Sequence, residues 1–405
     1  MRSLRDDGVA AAALQEDDDR VASGFPLSDG LSRMRHPGPW LISILLLSAC
    51  SIDPTVGAPE KVNGRKAPEV VLDHRGLGVP VDTLVSTALS ASDSFGVLTS
   101  VAVVGDYVVA GEAYDAPYFH VLDRSDGSLL ASFGRTGSGP GEFNLAPQFI
   151  PTAPGTTTLW VAPQLGRQLV ELDVRAIVQN QPDWLVQTVN MEDPGFRPAG
   201  LWLTPEELVV RSYTPTGDAP LVIFDAKGTR QDSLATVSIP DGRLRAGSRW
   251  GAYMFAMCAS PNGEHIAAAF ANTGRLEIRS RASRATIDAQ VPYRFRPHLP
   301  LLGKIMMDFK GGTAGNRRAY SDCVATNSLI YATFAGTLRG KQRNAPPPAN
   351  TFVHVFDWSG RLVRVHHLDH VAYGIDLDRE NGVLYSVSSY PDSIGPSVRR
   401  TVLPR

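Results

Sequence analysis

Residues 97–112 read VLTSVAVVGDYVVAGE, an apolar run, a Gly-Asp turn and a second apolar run. Two β-branched runs separated by such a pair form an antiparallel hairpin. The form returns as FIPTAPGTTTLWVAP from Phe149, AGLWLTPEELVVRSY from Ala199, FAMCASPNGEHIAAAF from Phe255, SDCVATNSLIYATFAG from Ser321 and YGIDLDRENGVLYSVSS from Tyr373, at intervals of 50 to 66 residues. A second hairpin form lies between consecutive members: YFHVLDRSDGSLLASFG, RQLVELDVRAIVQNQPDWLVQTV, PLVIFDAKGTRQDSLATV, RLEIRSRASRATIDAQV and TFVHVFDWSGRLVRVHHL. Asp123, Asp173, Asp225 and Asp357 stand where a strand leaves for the turn, where a carboxylate caps turn amides, and are read as structural.

Two hairpins per period make a four-stranded antiparallel blade. Six blades around an axis make a β-propeller, which leaves only short, protected edges. The sixth repeat has its first hairpin and then only SVRRTVLP, one strand short. PEVVLD or VDTLVSTAL, between Glu69 and Leu89, would supply that strand and close the ring from the N-terminal side. The reading is therefore an all-β, six-bladed propeller over residues 69–405. The rival, a loose sandwich or two separate domains, does not account for the six-fold count.

Upstream, residues 34–51 read MRHPGPWLISILLLSACS. The apolar stretch Trp40–Ala49 is too short to span a bilayer, which takes roughly 20 residues, and with Arg35 before it suits a signal peptide at 34–49. Leu47-Ser48-Ala49-Cys50 resembles the bacterial lipobox, which implies that Cys50 is lipidated and becomes the new N-terminus. The other readings are an ordinary signal peptide or a buried apolar segment. Residues 1–33, with Asp6, Asp7 and the run Glu16–Asp19, fit neither a signal peptide nor a core; they read as an extension ahead of a true start at Met34, or as a disordered cytoplasmic extension. Residues 50–68, rich in Pro, Gly and charge, read as a tether. Lipidation of the lipoprotein pattern adds two or three chains, enough for stable anchoring. The expected location is the bacterial cell envelope, periplasmic or at the outer-membrane surface. Ser51, in place of Asp after the cysteine, points to the outer membrane where the familiar retention rule applies.

The whole chain has 39 bases, 41 acids and a formal net charge of −2. Five of the bases and seven of the acids precede residue 50, so the exported part is neutral overall. With Cys50 lipidated, Cys258 and Cys323 remain. They hold matching places in CASPN and CVATN, and either a disulfide or two buried free thiols is compatible with the sequence.

Residues 133–173, FGRTGSGPGEFNLAPQFIPTAPGTTTLWVAPQLGRQLVELD, resemble an NHL repeat in their Gly-rich opening and later strands. With the lipobox, the chain resembles bacterial six-bladed propeller lipoproteins of the NHL or TolB-like kind. That resemblance implies fold and location and no particular activity.

In such a ring, the loops that lead into each blade and those joining its second and third strands emerge on one face. The leading loops carry Arg135, Arg197, Arg243, Arg245, Arg249, Arg294, Arg296, Lys304, Lys310, Arg317 and Arg318, while GTLRGKQRNAPPPAN adds Arg339, Lys341 and Arg343. From residue 303 to 343 there are seven bases against two acids. A basic field steers anions, and Arg forks fit carboxylate or phosphate. The candidate ligand-binding residues are Arg317, Arg318, Arg339, Lys341 and Arg343, with Arg249 and Arg296 next. The expected partner is an anionic glycan or an acidic envelope protein, with the membrane held through the lipid anchor. Nucleic acid is not expected outside the cytoplasm, and no cofactor is expected. GKIMMDFKGGTAGN lacks the GK[ST] ending of a phosphate loop.

The rival function is a lactonase-like, metal-dependent hydrolase or lyase in the channel. The strands expected to line the channel offer only Asp322 and Asp376 as acidic metal ligands, against the several oxygens a hard cation requires. His366-His367-Leu368-Asp369-His370 reads as a surface histidine cluster, and no Gly-x-Ser-x-Gly elbow marks a serine hydrolase. The sequence favours a non-catalytic binding or scaffolding protein.

Overall fold

The computed structural model describes residues 74–92, 95–139, 141–143, 146–151, 156–163, 167–192, 196–212, 221–234, 254–295, 317–338, 351–389 and 395–404. The expected extension, signal peptide, tether and Cys50 lie outside them, as does PEVVLD.

Six four-stranded antiparallel blades follow one another along the chain. Blade 1 comprises Leu98–Val104, Tyr107–Glu112, Phe119–Asp123 and Leu129–Phe133. Blade 2 comprises Gln148–Ile150, Thr158–Ala162, Gln168–Asp173 and Leu185–Asn190; blade 3, Phe196–Thr204, Glu207–Ser212, Leu221–Asp225 and Arg230–Leu234. Blade 4 is Phe255–Ala259, His265–Phe270, Leu276–Ser280 and Thr286–Asp288; blade 5, Arg317–Ala325, Leu329–Leu338, Thr351–Asp357 and Leu362–Leu368. Blade 6 takes Gly374–Asp378, Val383–Ser388 and Ser397–Val402 from the C-terminal end and Thr87–Ala91 from the N-terminal end. The first strand of every blade neighbours the first strands of the blades on either side, and the circle closes from blade 6 to blade 1. These six strands therefore form the innermost ring.

Burial follows from this layering. The second strands of blades 1, 4 and 6 are buried along nearly their whole length, because a neighbouring blade covers each face. Such strands read as continuous apolar runs rather than as alternation. The outermost strands of blades 1 and 4 are largely exposed. The core is divided among the seams: six apolar clusters occur, each drawn from two adjacent blades. Among the described residues, none of these clusters belongs to one blade alone.

The closing strand comes from the expected segment, with a difference. VDTLVSTAL splits at Val85-Ser86: Thr87–Ala91 completes blade 6 antiparallel to Ser397–Val402, while Val81–Leu84 adds a fifth, parallel strand to the outside of blade 5. The N-terminal segment thus fastens two blades. His74 anchors its start, stacked 3.9 Å from the Phe352 ring, with Nε2 3.0 Å from Nε2 of His354. Burial, then the neighbouring His74, holds His354 well below the usual histidine range, so it stays neutral.

The turn aspartates act as caps. Asp123 accepts from Ser125 N, Asp225 from Lys227 N and Thr229 N, and Asp357 from Ser359 N and Arg361 N. Asp173 does so differently, because the segment after it forms a short helix, Val174–Val178, in place of a plain turn, and its carboxylate caps Ala176 N. In the Gly-rich stretch, Gly141 adopts a positive φ of 71°, and a Cβ there would lie 2.5 Å from the Trp184 ring.

Cys258 and Cys323 are joined as a disulfide across the seam between blades 4 and 5, with Cα atoms 5.7 Å apart. Replacing both by Ala should cost about 4 kcal/mol, the chain-entropy value for a loop of this size. A differential scanning calorimetry comparison should show a lower melting temperature for the double variant and for the reduced wild type alike.

Candidate functional site

Antiparallel alternation sorts the connections between two faces. The upper face is the end at which each innermost strand begins. The strand ends flanking 235–253, 289–316 and 339–350 all lie there, so the Arg-rich segments join the fold on one face. Among the expected ligand residues, Arg318 is described fully: its guanidinium carbon stands 5.1 Å from the centre of the Tyr373 ring, across the seam between blades 5 and 6. Such a contact holds the cation in place without neutralising it. Arg317 opens the innermost strand of blade 5, its side chain outside the described set. Arg249, Arg296, Arg339, Lys341 and Arg343 also lie outside the described residues.

Asp322 and Asp376 do sit on innermost strands, but they are not presented as free metal ligands. Asp322 accepts from Cys323 N at 2.8 Å and from Ile375 N of blade 6 at 2.9 Å. Asp376 accepts from Leu377 N at 2.8 Å and from Val103 N of blade 1 at 2.8 Å. Both oxygens of each carboxylate are engaged by amides. An innermost strand has no neighbour on its channel edge, so its N–H groups need acceptors, and these carboxylates supply them. Burial pushes the Asp322 carboxyl up to about 7, against the two amides, and the Asp376 charge adds to the rise. Burial also raises Asp376, opposed chiefly by Arg379. Among the described residues, no group of three or more His, Cys, Asp or Glu is placed to hold a metal.

The histidine cluster is a correction. His366 and His370 are buried, and they do not converge: His366 Nδ1 lies 3.5 Å from Asp82, whereas His370 belongs to a different network. His367 stacks on Phe352. Alternation along Leu362–Leu368, followed by the bend into blade 6, separates the three rings. Burial outweighs the pull of Asp82 and lowers His366 to about 4, so it is neutral at ordinary pH.

The His370 network has the atoms of a hydrolase triad. Ser386 Oγ lies 2.7 Å from His370 Nε2, and Asp369 Oδ1 lies 2.9 Å from Nδ1. The acid on Nδ1 and the serine on Nε2 match a catalytic arrangement. Access does not, because Ser386 is 0 % exposed, on a strand covered on both faces. Ser86 of the N-terminal segment donates to Asp369 at 2.6 Å and receives Arg399 at 3.0 Å. The network ties the closing strand to blade 6. In blade 1 a second set, Ser132, His120 and Glu112, has the partners exchanged, serine on Nδ1 and acid on Nε2, with Glu112 accepting from Gly96 N at 2.6 Å.

A groove of about 560 Å³ opens at the lower face, between the turns of blades 1 and 6. Asp106, Asp123, Asp378, Arg124, Tyr107 and Tyr385 line it. Arg124 lies 3.4 Å from Asp378 and 3.9 Å from Asp106. Sequence reasoning missed it because its walls come from turns more than 250 positions apart, each an ordinary capped turn when read alone.

Two outcomes follow for the Ser-His-Asp set. A fluorophosphonate probe should leave the chain unlabelled at Ser386. His370→Ala should lower stability by about 1 to 3 kcal/mol, the cost of stranding buried hydrogen-bonding groups, as read from denaturant unfolding.

Comparison with known proteins places the fold. Residues 269–380 match the family model described as TolB-like 6-blade propeller-like, a stretch running from blade 4 into blade 6. No curated protein matches. Similar solved structures include a DUF4221 family member from Bacteroides vulgatus (11% identity, 78% of this chain, 97% of that one, TM-score 0.49). Others are a protein described as exported from Bacteroides fragilis (9%, 80%, 99%, 0.45) and the Pan2 WD40 domain of Neurospora crassa (11%, 80%, 95%, 0.45). At TM-scores below 0.5 these likenesses add nothing to what the blades already show. Six four-stranded blades make the chain a six-bladed β-propeller, and its residues 269–380 are similar to the TolB-like 6-blade propeller-like model.

Proposed function

We propose that the chain is an extracytoplasmic binding propeller, anchored to a bacterial membrane through Cys50, whose upper face holds an anionic glycan or the acidic surface of an envelope protein. Arg317, Arg318, Arg339, Lys341 and Arg343 carry the recognition, with Arg249 and Arg296 beside them. The observation that supports this most is the common end of the flanking strands: the described strands on either side of 235–253, 289–316 and 339–350 all end or begin at the face where Arg318 stands over Tyr373. His74 adds to it. It is buried beside Phe352 and Phe334, near the start of the third strand of blade 5, and so lies at the same upper face.

The channel reading has less support, since Asp322 and Asp376 spend their oxygens on amides of the neighbouring strands. Both Ser-His-acid sets are read here as structural ties rather than machinery.

Anchoring is checked with labelled palmitate in cells. Wild type should incorporate it and sediment with membranes; Cys50→Ser should do neither. Ligand class is checked with full chain in detergent against polygalacturonate, dextran sulfate and neutral dextran. Binding to the polyanions should weaken more than tenfold between 50 and 300 mM salt, and should be lost in an Arg318→Glu, Arg339→Glu, Arg343→Glu variant with unchanged melting temperature. Equal binding to neutral dextran, or no effect of the triple charge reversal, would remove the basic face from the proposal.

A further inference from the structure

The N-terminal segment touches blade 5 on two sides. His74 meets His354, which stands opposite Ala332 on the second strand, and Ala332, Phe334 and Phe356 belong to the apolar cluster shared with blade 4. Val81–Leu84 then runs along the outside of the blade, and Thr87–Ala91 goes on to complete blade 6. His74 is thus the first described contact of a segment that fastens two blades. Rings enclose it: Phe352 stacks on it at 3.9 Å, Tyr293 meets it edge-on at 5.0 Å and Phe334 at 6.2 Å. The centres of the His74 and His354 rings lie 5.2 Å apart and their Nε2 atoms 3.0 Å apart, so each imidazole turns that nitrogen toward the other.

We propose that the His74–His354 contact is an acid-released clasp, which docks the N-terminal segment at neutral pH and lets it go as the pH falls.

Proton counting carries the direction. Two imidazole nitrogens facing one another hold one hydrogen between them, so one donates and the other accepts. The Tyr320 hydroxyl lies 3.0 Å from Nδ1 of His354 and, being buried, keeps its hydrogen. With that hydroxyl donating to Nδ1, His354 carries its own hydrogen on Nε2 and His74 accepts it. A further proton on the accepting nitrogen sets two N–H groups head to head. Moving the His354 hydrogen to Nδ1 turns it on the Tyr320 oxygen, whose hydrogen then loses its acceptor. Stacked rings attract a cation, but they supply no acceptor for the displaced hydrogen. Burial acts the same way: it holds His354 well below the ordinary 6.5, and the neighbouring His74 adds to this.

The titratable and charged neighbours among the described residues can be named. Tyr320 comes from the innermost strand of blade 5 and Tyr293 from the segment leading into it. Arg294 acts on Tyr320 and is itself paired with Asp288 at 3.1 Å. His367 lies across Phe352, stacked 4.9 Å from it, and Arg75 is exposed. Cys323, opposite Ala332, is held in the disulfide and does not titrate.

A histidine whose folded value is depressed binds its proton less tightly when docked than when released. Its contribution to docking is fully present above the ordinary value of 6.5 and is lost progressively as the pH falls below it. On the reading that Cys50 carries a lipid, release would free the stretch between the anchor and Val81; the clasp itself does not depend on that reading.

Amide hydrogen exchange of the full chain, corrected for intrinsic pH dependence, tests the clasp. Val365 N donates to the carbonyl of Pro80 at 2.9 Å and Leu77 N to that of His74 at 3.3 Å, so both amides report docking. Trp202 N, bonded to Pro151 between blades 2 and 3, is the reference. From pH 7.5 to 5, opening at Val365 and Leu77 should rise on the order of tenfold, with Trp202 level. His74→Gln, whose amide both donates and accepts, should flatten the rise; a response driven by His366, beside Asp82, would survive that substitution. An equal rise at all three amides, no rise at Val365 and Leu77, or a rise unchanged in His74→Gln would overturn the proposal. Should His74→Gln fail to fold, ring ¹⁵N titration of the wild type decides. Protonation of His74 and His354 that tracks opening at Val365 supports the clasp, and titration of both at the ordinary 6.5 with Val365 still protected ends it.

Discussion

Everything in this molecule depends on the pairing of Thr87–Ala91 with Ser397–Val402. Each blade is a sheet with two apolar faces, and the core exists only where one blade covers the next. An open row of six blades would leave two faces wet, at roughly 25 cal/mol for every Å² of apolar surface. Closure removes both at once. The cluster at the blade 6 and blade 1 seam shows the dependence directly: Leu89 of the closing strand packs with Leu98, Val108 and Leu122 of blade 1 and Val398 of blade 6. Residues more than 300 positions apart thus share one core.

Polar groups are buried at the same seams, for a reason apolar packing cannot meet. Val, Leu and Ile surfaces slide past one another with little preference for register, whereas a carboxylate on a particular amide fixes it. Blade 4 shows the cost of such a device inside a sheet. Glu277 is fully buried, with Arg275 at 3.0 Å and Arg279 at 3.3 Å, and burial still raises its carboxyl against both arginines. A pair of this kind does little for net stability. Removing one partner would leave an uncompensated charge in the sheet. The N-terminal segment uses neutral groups to the same end: His74 meets His354, which Tyr320 holds from its other nitrogen at 3.0 Å.

Local features were legible in the sequence, and non-local ones were not. The strand pairs, the capped turns at Asp123, Asp225 and Asp357 and the missing sixth-blade strand all follow from period, turn chemistry and counting. The parallel addition of Val81–Leu84 to blade 5 does not, because its partner lies 284 positions away and a parallel edge strand needs no turn to announce it. The helix at Val174–Val178 was hidden for another reason: Asp173 caps a hairpin turn and a helix N-terminus with the same side-chain chemistry. The common end of the strands that flank the Arg-rich segments was readable once strands alternate, but the acidic groove below needed the blades in place.

The histidines show where residue types stop being informative. As a sequence, His366 to His370 is a polar cluster, and polar clusters are mostly exposed. In the fold, strand alternation sends His366 toward Asp82 and the bend after Leu368 turns His370 into blade 6, where Ser386 and Asp369 satisfy both ring nitrogens. The result has a triad's bonds without a triad's use. Catalysis requires a nucleophile that a substrate can reach; Ser386 is fully buried, and Ser86, just before the closing strand, holds the other side of the His370 ring. The same three residue types that would perform acyl transfer in a cleft serve here to hold an N-terminal strand in a C-terminal blade, and the difference lies in burial alone.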